Sequence, residues 1–204
     1  MIPAILLAVS LAGPALTQPG EWHGGEVPVR DGEEVLVLVE NAPLQCALEP
    51  GRVTVRRAKD PTGGVGKSVS LQNQKKNVVS ILARVPGVKA GAVETVQVDS
   101  EDQSRRENPT KLHFHGVEWR IEVKGKNLIV SNGKETQTLM TDLDDEGMPA
   151  WELYWAGDID HDGKLDLLYD VNTFNAVTSE LALSSAARKG ELMRVVARDV
   201  HTGC

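Results

Sequence analysis

This sequence has only two cysteines, no surplus of basic charge, and no apolar run beyond its first 17 residues that is long enough to span a bilayer. It also lacks an apolar stripe at helical spacing over any useful length. Each shortage excludes something. A net charge of −7 argues against nucleic acid or an anionic membrane as the main partner. Without helical stripes, the fold expected is mainly β. There is no nucleophile elbow, no reactive-cysteine context and no His-Glu pattern of a zinc peptidase. Paired carboxylates suited to glycoside hydrolysis occur only in loops. Nothing in these residues indicates an enzyme.

What is present is unevenly distributed. From Glu135 to Asp170 there are eleven acids and one base, Lys164, a local net charge of −10. The other 18 acids and 21 bases leave the rest of the chain at about +3. At the front, residues 1–17 are rich in Leu, Ala and Ile, carry Pro3, Gly13 and Pro14, and run into Gln18-Pro19-Gly20. Residues 1–18 read as a secretory signal peptide with cleavage around Ala15 to Gln18, although no basic segment opens it. A periplasmic or extracellular location follows as the expectation. No cysteine lies near the end of the signal, so a lipid anchor is not expected. In an oxidising compartment Cys46 and Cys204 would pair and tie the chain end to the N-terminal half. On the chain-entropy model so long a loop is worth up to ~5 kcal/mol.

Beyond the signal the most polar stretch, 99–111, marks an internal boundary. It divides an N-terminal β region (19–104) from a C-terminal β meander (105–204), as two units or as one packed domain. Branched or alternating runs predict strands at 34–39, 51–57, 78–83 and 92–98 in the first part. In the second they predict strands at 112–114, 117–123, 128–130, 136–140, 151–155, 165–171, 180–184 and 192–200. Asn132-Gly133 is a hairpin signal. The expected architecture is antiparallel, sandwich-like or partial-barrel-like, and shorter than a full propeller requires. The glycine-rich stretch 60–68 superficially suggests a phosphate-binding loop. Pro61 occupies a position that needs glycine, and the preceding Arg56-Arg57-Ala58-Lys59 is no buried strand, so it reads as a hairpin loop.

One stretch carries specific chemistry. In Asp158-Ile159-Asp160-His161-Asp162-Gly163-Lys164-Leu165-Asp166, carboxylates stand at loop positions 1, 3, 5 and 9, with glycine at the sharp turn. Calcium takes six to eight oxygen ligands, and such a loop can offer Asp158, Asp160, Asp162, Asp166 and the backbone carbonyl of Lys164. An EF-hand fits less well, because its closing position would fall on Tyr169. The stretch resembles the calcium loop of the integrin alpha-chain FG-GAP repeat and of related VCBS-type repeats, D-x-[DN]-x-D-G-x-x-D between two strands. The resemblance spans about twenty residues, 151–171, and implies those five ligands. It implies neither a propeller nor integrin-like ligand binding, since the unit occurs once here. A degenerate copy, Asp142-Leu143-Asp144-Asp145-Glu146-Gly147, has Ala150 where the closing ligand would be and reads as a solvated loop.

The function expected is an exported, non-enzymatic calcium-binding module that meets a protein or glycan. Two alternatives stay open. Trp151 and Trp155, alternating on one strand, could form a stacking face for a carbohydrate-binding module or a small hydrolase, or could be core. His113 and His115, flanking Phe114 on a strand, would share a face and could bind zinc or copper with Glu118, or could face solvent.

Overall fold

In a computed structural model the described residues are 13–22, 27–59, 64–73, 77–97, 109–143, 151–173 and 176–202. Among them every regular element is a strand and every pairing is antiparallel. The N-terminal half holds β1 (Ala15–Thr17), β2 (Gly20–Trp22), β3 (Glu34–Ala42), β4 (Gln45–Lys59), β5 (Val65–Leu71), β6 (Val78–Ala83) and β7 (Gly91–Thr95). Next come β8 (Thr110–Phe114), β9 (Val117–Lys124), β10 (Asn127–Ser131) and β11 (Thr136–Met140). The chain finishes with β12 (Trp151–Asp158), β13 (Asp166–Thr173), β14 (Ala176–Leu183) and β15 (Arg194–Thr202).

One sheet runs β1-β6-β3-β4-β7-β12-β13-β14-β15, and β1 lies against β15, so it nearly closes into a barrel. β5 continues from the far half of β4 and pairs β2. A separate sheet, β11-β10-β9-β8, packs outside. The architecture is all-β and is not a propeller.

Burial on both faces explains the unbroken apolar run of β3. Leu38 points into the barrel beside Leu48, Leu82, Trp155, Leu168 and Leu181. Val35, Val37 and Val39 face the other way, against Trp22, Val53 and Val69. A third cluster joins the outer face of β12 and β13 to the small sheet through Trp119, Ile121, Leu128, Trp151, Leu167 and Tyr169. Fully burying side chains of this size is worth roughly 1.5–3 kcal/mol each. β7 pairs β4 on one side and β12 on the other, which sets Glu94 opposite Asp158.

Several local features differ from the sequence reading. Gly66, Lys67 and Ser68 lie within β5, paired to Ala58, Arg57 and Arg56, where a hairpin loop was expected. The Asn132-Gly133 hairpin forms, but as a longer turn: Asn132 Oδ1 accepts the N–H of Lys134 and of Glu135, at 3.0 and 2.8 Å. Ala15–Thr17, at the end of the expected signal peptide, is a buried strand, with Leu16 inside the barrel. Residues 1–12 lie outside the described residues.

Candidate metal centre

The β12–β13 connection is a tight turn held by its own carboxylates. His161 and Gly163 take φ of 62° and 80°, so Gly163 supplies the left-handed backbone expected of it. Asp158, at the end of β12, accepts the N–H of Asp162 on Oδ1 at 3.0 Å and that of Gly163 on Oδ2 at 2.9 Å. Asp166, at the start of β13, is fully buried. It accepts the N–H of Ile159 at 3.0 Å, the N–H of Ser184 at 2.8 Å and the Ser184 hydroxyl at 3.2 Å. Asp160 Oδ2 accepts the Ser185 hydroxyl, while its Oδ1 is buried with no hydrogen-bond donor.

Asp158, Asp160 and Asp166 each bring a carboxylate oxygen within 4.8 Å of the others. Asp162, the other expected side-chain ligand, is not one of these three. Its oxygens accept the Ser184 hydroxyl at 3.2 Å and the Lys164 N–H at 2.9 Å, and the Lys164 ammonium stands 3.6 Å off. Burial pushes the Asp166 carboxyl up to about 7; the N–H donors of Ser184 and Ile159 oppose this, and the charges of Asp160 and Asp162 add to it. Crowded, desolvated carboxylate oxygens of this kind suit a hard cation.

Neighbouring strands brace the turn. Gly157 permits a close approach of β7: a Cβ there would stand 1.9 Å from the Glu94 carbonyl oxygen. His115 reaches across from the β8–β9 turn, with Nδ1 3.1 Å from the Gly163 carbonyl oxygen and Nε2 3.0 Å from the Glu94 carboxylate. Ser184, Ser185 and Glu94 are therefore neighbours of the loop that sequence reasoning missed, and His115, expected to pair with His113, stands here instead. Paired small hydroxyls at the end of the apolar strand β14 were the only local signal for the two serines.

The other candidates fare differently. His113 and His115 do not share a strand face, because β8 ends at Phe114 and His115 turns the chain with φ of 47° ahead of Gly116. The imidazoles go to separate carboxylates, His113 to Glu118 at 3.5 Å and His115 to Glu94. Trp151 and Trp155 do not share a face either. A bulge between Leu153 and Trp155 sends Trp151 outward to the small sheet and Trp155 into the barrel, both buried. Cys46 is a buried thiol in the barrel cluster, and Cys204 lies outside the described residues. Of the degenerate second loop, Asp142 takes φ of 60° and Leu143 is buried. Residues 144–150, which hold its remaining acids and Ala150, lie outside the described residues.

Beside the turn is a cleft of about 280 Å³, lined among others by His115, Trp119, Lys164, Ser184 and Leu192. No protein-family model matches this chain, and no curated protein and no solved structure matches it.

Proposed function

We propose that residues 158–166 bind calcium and that the protein is an exported, non-enzymatic β module in which the ion braces a surface for a protein or glycan partner. One observation carries the metal reading. Three carboxylates converge within 4.8 Å, and one of their oxygens, Asp160 Oδ1, is buried without a donor. A buried acceptor with no donor is costly, and a cation would satisfy it. The all-oxygen donor set favours calcium over softer metals. It accords with the likeness to FG-GAP and VCBS-type loops, from which Asp162 and the Lys164 carbonyl would join on binding.

Export is part of the same proposal, since extracellular modules commonly bind calcium at 10⁻⁴–10⁻³ M, roughly the level found outside cells. A mature chain that keeps β1 would begin at or before Ala15. Oxidised outside the cell, Cys46 would pair with Cys204. Equilibrium dialysis of the purified protein against calcium tests the metal reading, with bound ion measured by mass spectrometry. A single ion per chain, lost in Asp160→Ala, is expected; no bound calcium at millimolar concentration would end it.

A further inference from the structure

Resting on that calcium reading, we infer that the β14–β15 connection belongs to the cation site, with Ser185 as the residue that positions Asp160 for the ion. The two oxygens of Asp160 are in different states. Oδ2 accepts the Ser185 hydroxyl and Oδ1 accepts nothing. A carboxylate anchored through one oxygen has little freedom to rotate, so the other is preset for coordination. Outer hydrogen bonds of this kind orient ligands, and their loss typically costs 10–100-fold in metal affinity.

Asp158 differs, since both its oxygens are held by backbone N–H groups of the turn itself. Asp160 instead takes its one hydrogen bond from a side chain of a distant element, with no backbone N–H beside it. Ser184 makes the neighbouring link: its N–H donates to Asp166, and its single hydroxyl stands 3.2 Å from both Asp166 and Asp162. Both serines open the connection that also walls the 280 Å³ cleft through Ala187, Glu191 and Leu192. An ion that fixes Asp160 therefore fixes Ser185, and its arrival is transmitted to that wall.

The test is calcium titration calorimetry on the full chain, with wild type, Ser185→Ala, Ser185→Thr and Asp160→Ala. Ser185 is exposed, so losing its hydroxyl leaves the ion-free fold intact and melting in EGTA unchanged. Ser185→Ala weakens calcium binding roughly tenfold, Ser185→Thr restores it, and Asp160→Ala abolishes it. Amide hydrogen exchange across 185–192 slows on adding calcium in wild type, and does so far less in Ser185→Ala. If Ser185→Ala binds calcium as wild type does, with the same slowing, the inference is overturned while the calcium site stands. If wild type binds no calcium, the metal reading itself fails and the inference with it.

Discussion

Replacing Asp160 by alanine separates the ion's contribution from that of the fold. In the ion-free protein this carboxylate receives one hydrogen bond, from the exposed Ser185 hydroxyl, and no backbone N–H. Its removal therefore costs little. It also relieves repulsion: at up to 4.8 Å, two ionised carboxylates repel by about 3–4 kcal/mol at an effective dielectric of 20. Partial protonation of Asp166, whose carboxyl is held up at about 7, lowers that figure in practice. In EGTA, Asp160→Ala should thus melt at or slightly above the wild-type temperature. Bound as proposed, calcium should reverse the order. With a Kd of 10⁻⁴–10⁻³ M, a concentration of ~10 mM stabilises the wild type by about 1.4–2.7 kcal/mol through RT ln(1 + [L]/Kd). For a chain of this size that corresponds to roughly 3–10 °C in Tm. The variant should show a shift below ~1 °C. Differential scanning fluorimetry in the two buffers reads all four values. A wild type that melts alike in both, or a variant that keeps the increment, refutes the reasoning.

Three further outcomes follow from the same geometry. Gly157→Ala would drive a methyl into the Glu94 carbonyl, 1.9 Å away, and force β7 from β12; urea unfolding should show a loss of about 2–3 kcal/mol, and a loss under ~0.5 would mean that the strands part easily. Glu180 is fully buried, with the Tyr169 hydroxyl donating to it at 2.7 Å and Arg198 Nε 2.6 Å away. Arg198→Met leaves that acid unpaired and should destabilise by roughly 3 kcal/mol near neutral pH, so an unchanged urea midpoint would contradict the pairing. The Asp166 carboxyl rises from 3.8 to about 7 on folding, so the folded state binds the extra proton in that interval. Its contribution is fully present below pH 3.8 and is lost as pH rises through about 7. In EGTA, the stability of wild type relative to Asp166→Asn should accordingly fall across that window, whereas a flat or rising difference would show that the acid is not held protonated.

Much of the sheet is legible in the residues because β-branched, alternating runs allow little else. Glu34 to Val39, Val117 to Val123 and Leu165 to Val171 each lie in, or within a residue of, a strand. The loop is legible for a different reason, because carboxylate spacing and one glycine constrain a turn directly. Most of the failures depend on contacts distant in sequence. β5 carries Gly66, Lys67 and Ser68 and buries only Gly66, Val69 and Leu71, without a regular alternation, so nothing local separates its start from a loop. At Tyr154 one extra residue in β12 reverses the side-chain alternation that would have put Trp151 and Trp155 together. His115 looked like a strand residue until Gly116 completed a turn around it. Ser184 and Ser185 stand 18 and 25 residues from the acids they serve, and only the return of β14 beside β13 brings them close.

The position of the loop bears on why so much negative charge sits in one segment. Asp158 closes β12 against β7, Asp166 opens β13 beside β14, and the turn between them touches the β8–β9 turn through His115. Elements from both halves of the chain thus meet at one small volume. Without a cation, crowded carboxylates there oppose the closure that the apolar clusters favour. With one, the same groups become a cross-link among strands that the barrel must hold in register. A neutral polar turn would have joined β12 to β13 as well, at no electrostatic cost. If the loop takes calcium as proposed, retaining the acids would make part of the stability conditional on that ion, favouring the folded state where calcium is millimolar over places where it is scarce. Such a condition would fit the export proposed above.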